Sequence, residues 1–207
     1  RHWFSLDETN LEYHGLIVQM NISESIEASI SKMQSAISAD YLRYQELVKE
    51  NDDLWMDLAN IDRESEFRQT LNEYKNRRPY EELLSIDGAS SQNIIDKKVM
   101  AQEIVQELVG MAFGRWDTAY AKREKQLPEF GDVFEALPFM PTVSLSEVPS
   151  DYGLQIPEDG ILDNQADSPN SLVNRVRDVM QHIWGNQADE LEYELCQLIG
   201  CKNLQSY

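Results

Sequence analysis

Residues Ile94 to Tyr120, IIDKKVMAQEIVQELVGMAFGRWDTAY, form the longest strongly apolar segment of the chain and the only one with small residues placed to admit a second backbone. Apolar side chains at Ile95, Val99, Met100, Ile104, Val105, Leu108, Val109, Ala112, Phe113 and Trp116 recur at helical period, while Lys98, Gln102, Glu103, Gln106 and Glu107 supply a polar side. The pattern predicts a central helix. Gly110 and Gly114 lie four apart on one face. A glycine inside a helix costs about 1 kcal/mol relative to alanine, so the pair predicts another helix passing close to the backbone. Glu103 and Glu107 interrupt the run well short of the roughly 20 apolar residues that a membrane span needs.

Upstream, residues 1–21 mix aromatics, turn formers and a short apolar run, Leu16 to Met20, that reads as a strand. From Ile22 to about Leu58 the apolar positions Ile22, Ile26, Ile30, Met33, Ile37, Tyr41, Tyr44 and Val48 keep a helical step. This predicts a long amphipathic helix facing a core. Leu54, Trp55, Leu58 and Ile61 continue its apolar face, with a bend or restart expected at Asn51, Asp52 and Asp53. Arg63 to Lys75 reads as a charged helix, and Leu83 to Ser91 as a turn-rich connection.

Downstream of the central helix, no lysine or arginine occurs between Lys125 and Arg175, whereas six of the seven prolines do. No helix survives that spacing of prolines. Phe130, Val133, Phe134, Leu137, Phe139, Met140, Tyr152, Ile156, Ile161 and Leu162 argue for an extended acidic arm laid over the helices. The C-terminal end predicts a helical hairpin. Ser168 is placed as N-cap with Pro169 following, and the apolar line Leu172, Val176, Val179, Met180 and Ile183 runs to a closing Gly185. Ala188, Leu191, Leu195, Leu198 and Ile199 then mark a second helix stopped by Gly200. The expected fold is mainly α: a helical region over 1–126, an acidic proline-rich arm over 127–168 and a C-terminal helical hairpin over 169–207.

A formal charge of −19 opposes loose binding to nucleic acid or anionic membrane. Cys196 and Cys201 are five apart, a spacing of neither zinc pairs nor CxxC redox motifs, and read as reduced packing residues. His2, His14 and His182 are scattered, so neither a zinc nor a di-iron site is expected. The second hairpin helix carries Asp189, Glu190, Glu192 and Glu194, which argues against insertion into a DNA groove. Asp62, Glu73 and Lys75 have the residue types of a nuclease set but lie in a helical pattern. No catalytic, cofactor-binding or metal-ligating residue is assigned. The basic residues that could touch phosphates or a partner are Arg115, backed by Lys122, Arg123 and Lys125, with Arg175 and Arg177 as a second patch.

The apolar helix running into GRWD (Gly114 to Asp117) and the later stretch containing DGIL (Asp159 to Leu162), RVRDV (Arg175 to Val179), IWG (Ile183 to Gly185) and ADELE (Ala188 to Glu192) resemble a known region. It is the carboxy-terminal region of large restriction and phage-defence DNA adenine methyltransferases, the PglX-like and type IIG-like proteins. The resemblance covers roughly Ile95 to Trp116 and Pro157 to Tyr207. It implies a cytoplasmic parent enzyme that uses S-adenosylmethionine, acts on DNA and meets other subunits of a defence system, with no membrane partner. The chain departs from that family's chemistry in lacking both the Asn/Asp-Pro-Pro-Tyr/Phe motif and a glycine-containing cofactor loop. Asn76-Arg77-Arg78-Pro79-Tyr80 keeps only the Pro-Tyr ending. The expectation is therefore a non-catalytic helical piece of a longer protein, supporting target recognition or domain positioning; the alternative is an acidic module that docks a partner subunit.

Overall fold

The structure, a computed structural model, describes residues 15–20, 22, 25–59, 96–126, 152–156, 161–165, 168 and 171–207. Among these the chain is mainly helical and contains no strand. The elements are α1 (Leu16–Met20), α2 (Ile26–Leu58), α3 (Lys97–Ala112), α4 (Thr118–Ala121), α5 (Leu172–Trp184) and α6 (Ala188–Ile199), with 3-10 turns at Gly185–Gln187 and Leu204–Ser206. Two compact units divide the chain, residues 1–31 with 97–207 and residues 32–96. The Arg63 to Lys75 helix, the Leu83 to Ser91 connection, the Asp62, Glu73 and Lys75 set, the Pro79-Tyr80 ending and the Phe130 to Met140 part of the arm lie outside the described residues.

In the first unit α3 is central, packing most extensively on α5 and then on α6 and α1. Its buried line is Met100, Ile104, Leu108 and Met111, spaced to keep one face inward, and the helices it packs on bury Val176, Val179 and Met180 in α5 and Leu191, Leu195 and Ile199 in α6. Full burial of a side chain of this size is worth about 1.5–3 kcal/mol, so this seam dominates the unit's stability. No helix among the described residues is long and apolar enough to cross a membrane.

The first turn of α2 has amides with no helical partner, and they are satisfied from two sources. Ser25 acts as N-cap, its Oγ accepting from the Ala28 amide at 3.1 Å. The Glu194 carboxylate of α6 accepts from the Ile26 amide at 2.7 Å, the Glu27 amide at 3.0 Å and the Ser25 hydroxyl at 2.5 Å. Negative charge is favourable at that end of the helix dipole. Nearby, the Trp184 indole donates to the Ile22 carbonyl at 3.1 Å, and Lys97 pairs with Glu27 at 2.8 Å. Because hydrogen bonds to a charged acceptor contribute about 1.5–3 kcal/mol, Glu194→Ala is expected to destabilise the protein by about 2–3 kcal/mol, and Glu194→Gln by less. Urea unfolding reads this as a lowered midpoint; an unchanged midpoint for the alanine variant would mean that the α2 terminus stands without the anchor.

Several expectations are corrected. Leu16 to Met20 is helix α1, not a strand. The central helix stops at Ala112 and does not run on to Tyr120, because Gly114 adopts φ +73 and closes it: the Arg115 amide donates to the Gly110 carbonyl at 2.8 Å and the Gly114 amide to Met111 at 3.0 Å. Among the described residues, the nearest side chain to each glycine belongs to no helix. A Cβ on Gly110 would lie 2.6 Å from Trp116 Nε1, and one on Gly114 would lie 2.9 Å from the Ile156 side chain.

Helix α2 starts at Ile26, not Ile22, and runs unbroken through Asn51 to Asp53. Its far end buries Met56, while Leu54, Trp55 and Leu58 are exposed. Helix α5 starts at Leu172, not after Ser168. The Leu172 amide donates to the Asp163 carbonyl at 2.8 Å, and Ser168 spends its hydroxyl on the Asp163 carboxylate at 2.5 Å. Gly185 takes φ +55 and ψ −127, outside the left-handed helical region, and leads at once into the 3-10 turn that joins α5 to α6.

Candidate functional site

The GRWD turn, helix α4 and the start of the basic run fold into one polar knot on the first unit. Asp117, 7% exposed, caps α4 by accepting from the Ala119 amide at 2.9 Å, and its other oxygen holds Lys125 Nζ at 2.6 Å. That bond is the main reason the Lys125 ammonium titrates above its ordinary range. The Tyr152 hydroxyl sits 3.1 Å from the Thr118 amide, which donates to it, and 3.3 Å from Thr118 Oγ1. The Tyr152 ring faces the His182 ring at 6.4 Å. Lys122 Nζ pairs with Glu124 at 2.7 Å and lies 3.5 Å from His182 Nε2. An ammonium can only donate, so His182 is neutral with Nε2 as acceptor; burial first, then the Lys122 charge, holds its pKa below the usual value.

All six basic residues singled out from the sequence have intramolecular partners. Arg115 stacks on Trp116 at 4.5 Å. Arg123, in the left-handed conformation at φ +64, donates to the Val18 carbonyl at 2.6 Å, a carbonyl of α1. The strain of that backbone is about 1–2 kcal/mol for a residue with a Cβ. It is offset by the α4 terminus, where the Arg123 amide reaches the Tyr120 carbonyl and the Glu124 amide reaches that of Ala119. Arg115, Lys122, Arg123 and Lys125 thus come together around α4. Arg175, donating to Gln155 at 3.1 Å and 3.7 Å from Asp178, lies apart with Arg177 on α5. The Arg177 guanidinium grips Glu192 of α6 with two nitrogens at 2.8 and 2.9 Å, which raises its pKa further.

The knot contains no nucleophile paired with a base: Thr118 bonds to a phenol, and His182 faces an ammonium. Among the described residues no group of three or more His, Cys, Asp or Glu side chains converges as a metal site. What the arrangement does chemically is consume charge locally, tying the α3 end to α1, α4 and α5.

Two carboxylates that matter most escaped the sequence reading. Glu107, assigned above to the polar side of the central helix, is 1% exposed, with one oxygen accepting from the Ile17 amide at 2.8 Å. The signal was available: Glu107 falls at the i+7 position from Met100 and i+3 from Ile104, in the middle of the buried line. Glu194 had no comparable signal, since its partners lie 167–169 residues away. No protein-family model matches the chain, and neither does any curated protein or solved structure.

Proposed function

We propose that this chain is a non-catalytic helical region of a bacterial restriction or phage-defence DNA adenine methyltransferase, and that it positions the catalytic domain without reading bases itself. The observation that carries the proposal is the clamp on the root of α2. Trp184 of IWG and Glu194, two residues beyond ADELE, both belong to the stretch that resembles the family, and they hold Ile22 and the first turn of α2. A helix of 33 residues spans on the order of 50 Å. One anchored end makes such a helix a strut that can set the distance to a neighbouring domain. The pairing of the basic residues supports the same role, because phosphate contacts require cations that can be spared. In this reading S-adenosylmethionine and DNA are bound by the parent's catalytic domain.

In the parent methyltransferase, the double change Lys122→Glu and Arg123→Glu is expected to leave both the methylated sequence and the salt dependence of DNA binding unchanged. Glu194→Ala is expected to lower the methylation rate at the same target sequence. A changed target sequence in either variant would show base reading and overturn the proposal. A uniform loss of affinity with a shallower salt slope in the double variant would show phosphate contact at the α4 knot.

One observation favours the second reading, an acidic module that docks a partner subunit. Along α2 the side chains of Leu47, Leu54, Trp55 and Leu58 recur at helical spacing and are exposed, Trp55 by 64% and Leu58 by 78%. Under that reading Trp55→Ser would release a co-purifying subunit with DNA affinity intact.

A further inference from the structure

Helix α6 ends in a way that does more than stop it. Gly200 adopts φ +84 and ψ 30, and the amides of both Gly200 and Cys201 turn back onto the Cys196 carbonyl, at 2.9 and 3.0 Å. The bond from residue 201 to residue 196 is the six-to-one closure of a left-handed helix end, which brings the side chains at its two ends into contact. Those two positions are the chain's only cysteines. Both are free thiols; Cys196, on α6, is buried, and Cys201 is partly open to solvent. Burial, and after it the side-chain contact with Cys201, pushes the Cys196 thiol up to about 12.

We propose that Cys201 and Cys196 are a peroxide-responsive thiol pair, in which Cys201 is oxidised first and Cys196 resolves the product into an intramolecular disulfide across the end of α6. The assignment of roles follows from access. An oxidant reaches Cys201 from solvent, whereas Cys196 is shielded. The Cys201 thiolate attacks the outer oxygen of a hydroperoxide; an S–O bond forms, the O–O bond breaks, and the departing oxygen takes a proton from solvent. The Cys196 sulfur then attacks the Cys201 sulfur: the S–S bond forms, the S–O bond breaks, and the leaving hydroxide takes the Cys196 proton and departs as water. Two thiols lose two electrons and the peroxide gains them. A sulfenic acid held beside a resolving thiol in this way is converted to a disulfide instead of being driven on to the irreversible acids. The site is independent of the positioning role argued above.

The test treats the full chain with hydrogen peroxide, quenches with iodoacetamide under denaturing conditions, and measures intact mass. The wild type is expected to lose about 2 Da and both alkylation sites, to remain monomeric on a non-reducing gel and to regain both thiols with dithiothreitol. Cys196→Ala should instead accumulate a dimedone-reactive Cys201, and Cys201→Ser should leave Cys196 unmodified over the same time. In urea, disulfide formation should slow by about tenfold or more, since the fold supplies the proximity. Two alkylatable thiols in the treated wild type would overturn the proposal, as would equal oxidation of Cys196 in Cys201→Ser or equal rates in urea and buffer.

Discussion

Gly15→Ala is expected to lower the melting temperature by roughly 6–12 °C, the shift that a loss of about 3 kcal/mol gives a chain of this size. Gly15 has φ +78, a conformation that costs a residue with a Cβ about 1–2 kcal/mol. The larger effect lies in what the methyl group would meet. A Cβ there would collide with Glu107 Oε1 and fall 2.6 Å from its Cδ. That carboxyl cannot swing aside freely, because it is buried and tied to the Ile17 amide. Displacing it leaves buried polar groups unsatisfied, at about 1–3 kcal/mol. Gly200→Ala is the matched control: φ is +84, but nothing lies within 4 Å of the added carbon. It should therefore show the backbone cost alone, roughly 2–4 °C per kcal/mol. Equal shifts for the two variants in differential scanning calorimetry would mean that the Glu107 contact contributes nothing.

The second large effect is a dependence on pH that comes from Glu107 itself. Burial raises its pKa from 4.5 to about 8, against the smaller opposite pull of the Ile17 and Leu16 amides. Oε1 has no hydrogen-bond partner among the described residues, so no cation offsets the burial. Below pH 4.5 the carboxyl is neutral whether the chain is folded or unfolded, and its contribution to stability is complete. Between pH 4.5 and about 8 the unfolded chain ionises while the folded chain keeps the proton, so stability falls as pH rises, by up to about 1.4 kcal/mol per pH unit. Above about 8 both forms are ionised and the contribution is gone. Glu107→Gln is neutral throughout and should lack this slope. The difference between wild type and Glu107→Gln in urea titrations across that window isolates the effect from the other carboxylates; parallel curves would show that Glu107 is ionised in the folded chain at neutral pH.

These two residues mark the boundary of what could be read in advance. The helix-rich class, the long helix α2 and the paired helices α5 and α6 were legible, because apolar residues at a step near 3.6 force one face inward wherever a core exists. The glycine stop after Ile199 was legible too, since Gly200 sits where only a residue without a Cβ adopts the left-handed conformation cheaply. Gly114 was read as a close-packing residue and proved to be a terminator, although both uses of glycine look alike in a sequence. The same limit applies to Leu16 to Met20: a run of five residues, apolar but for Gln19, carries too little period to separate strand from helix.

The basic residues show the other side of the limit. Their clustering at Arg115, Lys122, Arg123 and Lys125 is a property of the sequence. Whether a cation is available to a phosphate depends on which oxygens surround it, and Asp117, Glu124 and the Val18 carbonyl were assigned to Lys125, Lys122 and Arg123 only by the fold. Local periodicity determined the helices because each is stabilised by neighbours three and four residues away. The Glu107 and Glu194 carboxylates, which hold the first turns of α1 and α2, bond to groups 90 and 167–169 residues distant. No local pattern encodes such a pairing; only the packing of α3 and α6 brings each carboxylate to its amides.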